Sequence, residues 1–386
     1  MNSKNSNSHN GLRTWIEIDR KAIKGNYDTF RSLIPKSCKL LAIVKSNAYG
    51  HSLIDFSKEA EKLGADFLGV DSIIEALALR REGIKTPILV LGYTLPEMIS
   101  EAIKNDISIT VSSLEMLKKI TAVIGKNDKK LKIHIKVDTG MHRQGFLPED
   151  SAKILANLQL TTNNKQLEVE GVFTHFASAK NPAFPVYTNH QIDDFKEWIS
   201  LFNKNGFKPI VHAAATAGTL VFPDSHFDMV RIGIGLYGEW PSKESKAYLQ
   251  DKMKLEPVLT WKTIISEIKN LLKGERLGYD LTEKLDRDSV VGICPVGYWH
   301  GIPRALSSVG YFLVNGKRAK ILGRISMDMI VIDLTGIIGV KVTDEAVILG
   351  GSGKTKIISE EMAGMADTCN YELITRINPL IKRIYV

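Results

Sequence analysis

The chain has 386 residues, of which 44% are hydrophobic and 24% charged, so it is long enough to bury a large core and to form two domains. Its net charge of +8 comes from lysines that are dispersed among acids and not interleaved with aromatics, which favours a solvated surface over a nucleic-acid face. No window approaches the ~18 consecutive apolar residues of a membrane span, and the Ser/Asn-rich start lacks the apolar core of a signal peptide. We therefore expect no nucleic-acid or membrane partner, and a disordered tail over residues 1–13.

Cysteine usage points to the compartment. Cys38, Cys294 and Cys369 are widely spaced and odd in number, which argues against a disulfide framework. Their spacing matches no zinc motif, and His175 and His212 have no nearby carboxylate pair at ligand spacing, so no metal site is expected. The thiols fit a reducing environment, and we predict a cytoplasmic location.

The N-terminal two thirds of the chain alternate short apolar runs with segments of helical period. Eight runs are predicted strands: residues 39–44, 66–71, 87–91, 107–111, 131–138, 167–175, 209–214 and 229–235. Most are largely apolar, as strands covered on both faces should be. Repeated β–α units of this number predict a TIM-type (β/α)8 barrel over residues 14–250 rather than an open doubly wound sheet.

After about residue 250 the strand-like segments follow one another closely. They span residues 258–267, 290–295, 311–315, 319–322, 329–333 and 346–349. Turn signals such as Asn315-Gly316 lie between them. This predicts a mostly antiparallel β domain over residues 251–386, with residues 14–19 as a candidate extra strand.

Lys45 is the most informative single residue. It ends an almost wholly apolar run, Leu-Leu-Ala-Ile-Val-Lys at residues 40–45, where the first barrel strand should end. A lysine with apolar walls behind it can be desolvated into a nucleophilic amine, or can form a Schiff base with an aldehyde cofactor. Taken alone, a lysine at the end of a strand is more often a solvated residue that heads an ordinary loop, and only the rest of the chain favours the functional interpretation.

Other polar groups are predicted at the same edge, because the chemistry of such barrels lies at the carboxyl ends of the strands. They are Lys45, Arg143, His175, the segment 215–218 and the segment 231–235. The last two segments offer small residues, a hydroxyl and backbone N–H groups, which suit a phosphate. His175 alone could be a core histidine and Arg231 alone an ion-pair residue, but their joint placement favours a functional site.

The segment Leu349-Gly350-Gly351-Ser352-Gly353-Lys354-Thr355 ends like a phosphate-binding loop of nucleotide enzymes. That motif needs a glycine five residues before Gly353, where this chain has Ile348. The segment also follows a strand of the β domain and does not open a βαβ unit. We interpret it as a β-turn.

The run Ala-Ile-Val-Lys-Ser-Asn-Ala-Tyr-Gly-His at residues 42–51 resembles the pyridoxal-phosphate (PLP) lysine signature of the alanine racemase family. Similarity extends from about Thr14 to Tyr385. Further matches follow in the same order as in the family, at Arg143, His175, Arg231, Tyr279, Met327-Asp328 and Tyr371. Together they make the resemblance specific.

The resemblance implies that Lys45 holds PLP and exchanges the proton of D-alanine, while Tyr279 exchanges that of L-alanine from the opposite face. Tyr279 would come from the second subunit of a homodimer. His175 would link this phenol to Arg231, which in the family faces the pyridine nitrogen of the cofactor. D-alanine implies a role in peptidoglycan precursor synthesis.

The resemblance also implies roles for residues outside this catalytic group. The implied cofactor-binding residues are Lys45, Tyr49, Arg143, His175, Thr216, Arg231, Gly233, Ile234 and Tyr371. The implied substrate-binding residues are Arg143, Met327 and Tyr298. Lys136 matches a lysine that is carbamylated in several members.

Three departures from the family pattern leave channel polarity and substrate preference open. They are His300 in place of an aspartate, Ala215 in place of an asparagine, and Ile232 in place of a proline. The alternatives are a racemase for serine or another small amino acid, and a non-catalytic PLP carrier on the same barrel. The carrier class lacks the β domain, so Tyr279 and Met327 argue against it.

Overall fold

The computed structural model describes residues 11–124, 130–162 and 166–386 of the chain. Residues 1–10 of the predicted tail lie outside the described residues. The chain divides into two compact units. The barrel unit comprises Ile23–Ala48 and Leu53–Glu256, and the β unit comprises the residues up to Ala22, Tyr49–Ser52 and Pro257–Val386.

The barrel unit is built on eight parallel strands. They are β2 (Lys39–Ile43), β3 (Phe67–Val70), β4 (Ile88–Val90), β5 (Ile107–Val111), β6 (Leu131–Lys136), β7 (Leu167–Phe173), β8 (Ile210–His212) and β9 (Met229–Ile232). Their order in the sheet is β8-β7-β6-β5-β4-β3-β2-β9. The predicted (β/α)8 fold is confirmed, and each observed strand falls within its predicted range.

Hydrogen bonds outside the regular ladder bring the two ends of this sheet together. The Arg231 N–H donates to the Ala214 carbonyl at 2.9 Å, and Asp228 donates to Val211 at 3.0 Å. An isolated parallel bridge joins Ala215 and Arg231. The barrel is thus nearly closed, and the end of β9 is held against the segment that follows β8.

Helices follow most strands. The main ones are Arg20–Leu33, Leu53–Lys62, Ile73–Arg81, Ile99–Lys104, Leu114–Val123, Ser151–Thr162, Val186–Lys204, Thr216–Val221 and Lys243–Leu249. Helix Ile73–Arg81 begins with a capping box, in which the Ser72 side chain accepts from the Glu75 N–H and Glu75 reaches back to the Ser72 N–H. The strands are covered on both faces, which explains why residues such as Leu40, Leu41 and Ala42 are fully buried.

The β unit contains a ten-stranded sheet, a two-stranded ribbon and two short helices, Ser359–Met365 and Asn370–Thr375. Its strands are β1 (Thr14–Ile18), β10 (Leu259–Ile264), β11 (Glu267–Leu271), β12 (Arg276–Leu277), β13 (Glu283–Lys284), β14 (Ser289–Cys294), β15 (Tyr311–Val314), β16 (Lys317–Leu322), β17 (Ile330–Asp333), β18 (Glu345–Ser352), β19 (Thr355–Ile357) and β20 (Lys382–Tyr385). Neighbours pair antiparallel except β1 and β20. The predicted mostly antiparallel fold is confirmed.

Two details differ from or extend the expected pattern. The single strand expected over residues 258–267 is interrupted at Ile265 and Ser266, so that β10 and β11 pair with different neighbours. Strands β18 and β19 form a hairpin in which Ser352 pairs with Thr355. The Gly353-Lys354 segment is therefore the turn of a hairpin, as predicted, and not a nucleotide loop.

No helix within the described residues is long and apolar enough to cross a membrane. All three cysteines fall within the described residues, and all are free thiols. Cys38 and Cys294 are buried, whereas Cys369 is exposed.

Candidate active site

Lys45 lies just beyond the end of β2, where the backbone takes an unusual course. Ser46, Asn47 and Ala48 have φ values of 55°, 55° and 50°, which makes a short left-handed turn. For residues with a side chain this conformation costs roughly 1–2 kcal/mol each. Such strain persists only where surrounding contacts over-determine it, and it clusters at functional sites.

Contacts from the neighbouring β–α unit hold this turn in place. The Ser46 N–H donates to Oε1 of Glu75 at 2.7 Å, and the Asp71 N–H donates to Oε2 of the same carboxylate at 2.8 Å. Asn47 Oδ1 accepts from the Leu53 N–H at 2.9 Å. Lys45 Nζ lies 3.5 Å from Asp71 Oδ1, and 37% of its side chain is exposed. The amine thus sits at the rim of the barrel, partly covered and accessible to a small molecule.

Arg231, at the carboxyl end of β9, is 3% exposed. Its terminal nitrogens donate to carbonyl oxygens of Thr174, Ala213 and His212 at 2.7–3.0 Å. They also face imidazole nitrogens, His212 Nδ1 at 2.9 Å and His175 Nδ1 at 3.3 Å. Burial lowers the pKa of Arg231 to about 9, so the guanidinium stays protonated at neutral pH. Among the described residues, none accepts a hydrogen bond from its Nε–H.

His175 follows β7 and is neutral in this environment. Burial and the positive charge of Arg231 lower the pKa of His175 to about 3. Because the guanidinium can only donate, His175 Nδ1 must accept, and the ring proton is therefore assigned to Nε2. Nε2 is thus a donor directed away from Arg231.

Lys136 and Arg143 add positive charge to the same region. With Thr174 and His175 they line one small pocket at the carboxyl ends of β6 and β7. Lys136 Nζ donates to Gln144 Oε1 at 3.1 Å. Burial, followed by the charges of Arg143 and Arg231, lowers the pKa of Lys136 to about 8. A substantial fraction of this amine is therefore neutral just above neutral pH.

The segments after β8 and β9 form an anion-type nest. Thr216 Oγ1 accepts from the Gly233 N–H at 3.1 Å and from the Gly235 N–H at 3.4 Å, which leaves the hydroxyl proton free to donate elsewhere. Ile234 begins a 3-10 turn, and helix Thr216–Val221 begins beside it, so both present first-turn N–H groups without an intrahelical acceptor. A Cβ on Gly235 would lie 2.3 Å from the Phe30 ring, so only glycine allows this close approach.

The other predicted residues belong to the β unit. Tyr279 follows Gly278, is 67% exposed, and lines a cavity with Tyr298, Arg304 and Ile325. The Met327 carbonyl accepts from the Trp299 N–H at 3.0 Å, while no described residue accepts from the Met327 N–H.

Tyr49 and Tyr371, also in the β unit, lie close together. Their ring centroids are 6.4 Å apart. The two residues implied as phosphate contacts are therefore near neighbours within this unit.

The three departures from the family pattern differ in their surroundings. His300 Nδ1 accepts from the Gly297 N–H at 3.1 Å and so closes the turn that carries Tyr298. Ala215 precedes helix Thr216–Val221 without a side-chain cap, and Ile232 is fully buried in β9. None of the three positions displaces a predicted catalytic group.

Sequence reasoning missed several polar residues that hydrogen-bond within or next to this site. They are Asp71, Glu75, His134, Gln144, Glu170 and His212. His134 and Glu170 did not stand out in the sequence, since their strands carry further charged residues, Lys132 and Lys136 in one and Glu168 in the other. Their partners could not be read from the chain, because the residues come from different strands.

The sequence matches the family of the alanine racemase N-terminal domain over residues 18–241, and of the alanine racemase C-terminal domain over residues 258–385. The chain belongs to the alanine racemase family. A member from Methanococcus maripaludis is 38% identical over 373 residues, covering 96% of this chain and 98% of that protein. One from Leptospira interrogans is 37% identical over 393 residues, covering 100% and 99%.

A solved structure of this family has the same fold. The crystal structure of alanine racemase from Bacillus anthracis with bound L-Ala-P has a TM-score of 0.90 and 36% identity, and covers 97% of this chain and 95% of that chain. As a member of the alanine racemase family, the protein is an isomerase. Its Lys45, Arg143, His175 and Arg231 lie at the carboxyl ends of barrel strands.

Proposed function

We propose that this protein interconverts L-alanine and D-alanine with PLP as its cofactor, and so supplies D-alanine for peptidoglycan. The observation that carries the proposal is the cluster of one rim amine, one neutral imidazole and two guanidinium groups beside an anion-type nest. The relatives that are named alanine racemases support the choice of substrate.

The residues of the barrel unit fit such a cofactor. Lys45 would attach it, and Arg143 would contact its phenolic oxygen. The hydroxyl of Thr216 and the N–H of Ile234 would receive its phosphate beside Gly233, whose own N–H donates to Thr216 Oγ1. The unpaired Nε–H of buried Arg231 suits an acceptor nitrogen of a ring. When bound, the cofactor supplies an electron sink that acidifies the Cα–H bond of an amino acid. Tyr49 and Tyr371 are proposed as further phosphate contacts.

Racemisation requires one proton to leave Cα on one face and another to arrive on the opposite face. We propose that Lys45 Nζ serves one face and the phenol of Tyr279 the other. Neutral His175, whose Nε2–H points away from Arg231, would orient the phenol and stabilise its deprotonated form. The unpaired Met327 N–H would receive the substrate carboxylate, and Tyr298 would line its path.

Two further proposals concern assembly and organisation. Tyr279 and Met327 are proposed to act from the second subunit of a homodimer, and the high exposure of Tyr279 in the single chain is consistent with this. We propose residues 14–250 as the cofactor-binding domain, apart from strand β1, which pairs with β10 and β20 of the β unit, and 251–386 as the domain that supplies those two residues. The family matches end and resume close to that boundary. The free thiols support a cytoplasmic location.

The proposal is tested by loading the protein with PLP and recording its absorbance before and after borohydride. We expect an absorbance band in the visible range that reduction removes. Peptide mapping should then locate the reduced, covalently attached cofactor on Lys45. Each alanine enantiomer in deuterated water should then yield both enantiomers with deuterium at Cα. A reducible band without any exchange of alanine or serine would support the alternative of a non-catalytic PLP carrier. Exchange of serine faster than that of alanine would identify serine as the preferred substrate.

Replacing Arg231 with glutamate should increase transamination relative to racemisation. A carboxylate can share a proton with the ring nitrogen that it faces, whereas a guanidinium has no lone pair to accept one, so R231E should strengthen the electron sink. The ratio is measured by following pyruvate formation against loss of optical rotation. Because the new carboxylate is buried, near-UV circular dichroism must show a folded protein. R231K, which retains the charge, should keep the wild-type ratio, and an unchanged ratio in folded R231E would contradict the proposal.

Lys136 is expected to react with carbon dioxide to form a carbamate. The reaction needs a neutral amine, and the pKa near 8 supplies one just above neutral pH. Incubation with 13C-bicarbonate should give a protein carbamate signal by 13C NMR that grows from pH 7 to pH 8.5 and is lost in K136M. Lys132 on the same strand is a matched control, because its hydrogen bond to Asp106 raises its pKa. A signal that survives in K136M but not in K132M would refute the assignment.

A further inference from the structure

The barrel interior contains a continuous chain of hydrogen bonds that starts at Arg231. Arg231 faces His212 Nδ1 at 2.9 Å, His212 Nε2 faces His134 Nδ1 at 2.8 Å, and His134 Nε2 faces Glu170 Oε2 at 3.0 Å. Both imidazoles are fully buried, and 13% of the Glu170 side chain is exposed. The chain thus connects one cation to one anion through two imidazoles.

The direction of every bond in this chain follows from its two ends. A guanidinium can only donate, so His212 Nδ1 accepts and the His212 proton lies on Nε2. That proton is donated to His134 Nδ1, which places the His134 proton on Nε2, facing the carboxylate. A carboxylate can only accept, so the end at Glu170 requires the same arrangement as the end at Arg231. Burial and the charge of Arg231 lower the pKa of His212 well below its ordinary value, which keeps that ring neutral.

The local backbone is shaped to allow this chain. The register between β6 and β7 shifts by one residue, because Ile133 pairs with Val169 and His134 pairs with Gly171. Glu170 is therefore the extra residue of a β-bulge, a feature that re-aims side chains. A Cβ on Gly171 would lie 2.1 Å from His134 Nδ1, so the glycine makes room for the imidazole. Phe173 stacks on the His212 ring at 4.8 Å and fixes its plane.

The hydrogen-bond chain matters because the buried positive charge of Arg231 needs a counter-charge. Lys45, Lys136 and Arg143 all add positive charge near Arg231, and no described carboxylate pairs with its guanidinium directly. A buried charge without a counter-charge is strongly unfavourable. Burial raises the pKa of Glu170, but hydrogen bonds from His134 and Ser108, together with the positive charge of Lys132, outweigh it. The net shift is downward, so this carboxylate is charged.

We propose that Glu170 is the remote counter-charge of Arg231 and, through His134 and His212 in fixed tautomers, a positioning residue for that guanidinium. Glu170 contacts neither substrate nor cofactor in this scheme. The proposal rests on the proposed function only through Arg231, which belongs to both. It is therefore tested on protein without cofactor, so that its failure and that of the proposed function are distinguishable.

The first test is a double-mutant cycle on the cofactor-free chain, with E170Q, R231Q and the double variant unfolded in urea. E170Q should lower the urea midpoint clearly when Arg231 is present and much less in the R231Q background, because the cation that needs the counter-charge has gone. E168Q is the matched control, since Glu168 lies on the same strand with an exposed side chain, and its effect should be the same in both backgrounds. Equal shifts for E170Q in both backgrounds would overturn the proposal.

The second test does not need R231Q to fold. In 15N-histidine NMR of the cofactor-free protein, His134 and His212 should both carry their proton on Nε2. E170Q should move the His134 Hε2 signal upfield, since an amide accepts more weakly than a carboxylate, and E168Q should leave it unchanged. An Nδ1 proton on His212, or a His134 signal that does not respond to E170Q, would refute the chain as described.

Discussion

Replacing Tyr279 with phenylalanine is expected to lower racemisation by about 10²–10⁴-fold in both directions, the range typical of losing a positioned acid–base group. The ring and its packing are retained, so only the phenolic proton is lost. The more specific result concerns exchange in deuterated water. Because Lys45 would still serve its own face, Y279F should continue to wash deuterium into D-alanine without inverting it, and should no longer exchange L-alanine.

Tyr248 offers a matched control for this experiment. It is also a largely exposed tyrosine, it lies in the barrel unit, and its ring sits under Lys252 Nζ at 4.7 Å, a contact that phenylalanine preserves. Y248F should therefore behave like the wild type. If Y279F exchanged both enantiomers at the wild-type rate, a different residue would have to serve the second face.

Replacing Lys45 with alanine is expected to have the larger effect, because one change removes the cofactor attachment and one of the two proton carriers. The loss should be at least about 10²–10⁴-fold from the proton transfer alone. The visible band that borohydride removes should disappear with it. Lys45 Nζ forms an ion pair with an exposed Asp71, which contributes little to stability, so the fold should tolerate the change.

Lys39 on the same strand separates this result from a general loss of surface charge. Its amine lies over the Phe67 ring at 5.6 Å, and Lys39 is the first residue of β2, at the end opposite to Lys45. K39A should keep both the band and the activity. A K45A protein that retained a reducible band would show that another lysine carries the cofactor, and the proposed site would then be wrong.

The barrel could be predicted because each of its strands has a local signal in the sequence. Each is a short apolar run bounded by polar or turn residues, and the carboxyl-end rule then places Lys45, Arg143, His175 and Arg231 at one rim without any knowledge of their contacts. In the β unit, the same pattern missed the break at Ile265 and Ser266. Ile265 is fully buried, so the hydrophobic pattern runs into the break without a signal. The break is visible only because β10 and β11 pair with different strands.

What could not be predicted depends on contacts between distant strands. The bulge at Glu170 changes the register of one ladder, and hydrophobic alternation does not encode it. The left-handed turn after Lys45 could not be anticipated either, because Ser46, Asn47 and Ala48 have no strong preference for that conformation. It depends on Glu75, which lies one β–α unit further along the chain.

The handedness of that turn also bears on how the site could be rebuilt elsewhere. Residues 46–48 have a left-handed backbone conformation, which D-amino acids favour and L-amino acids with a side chain disfavour. Contacts from elsewhere in the chain must therefore stabilise it. The lysine cannot then be grafted as a short peptide motif. Transplanting it onto another barrel would also require the carboxylate of Glu75 and the amide of Asn47. Their hydrogen bonds with the Ser46 and Leu53 N–H groups hold the turn that places the amine at the rim.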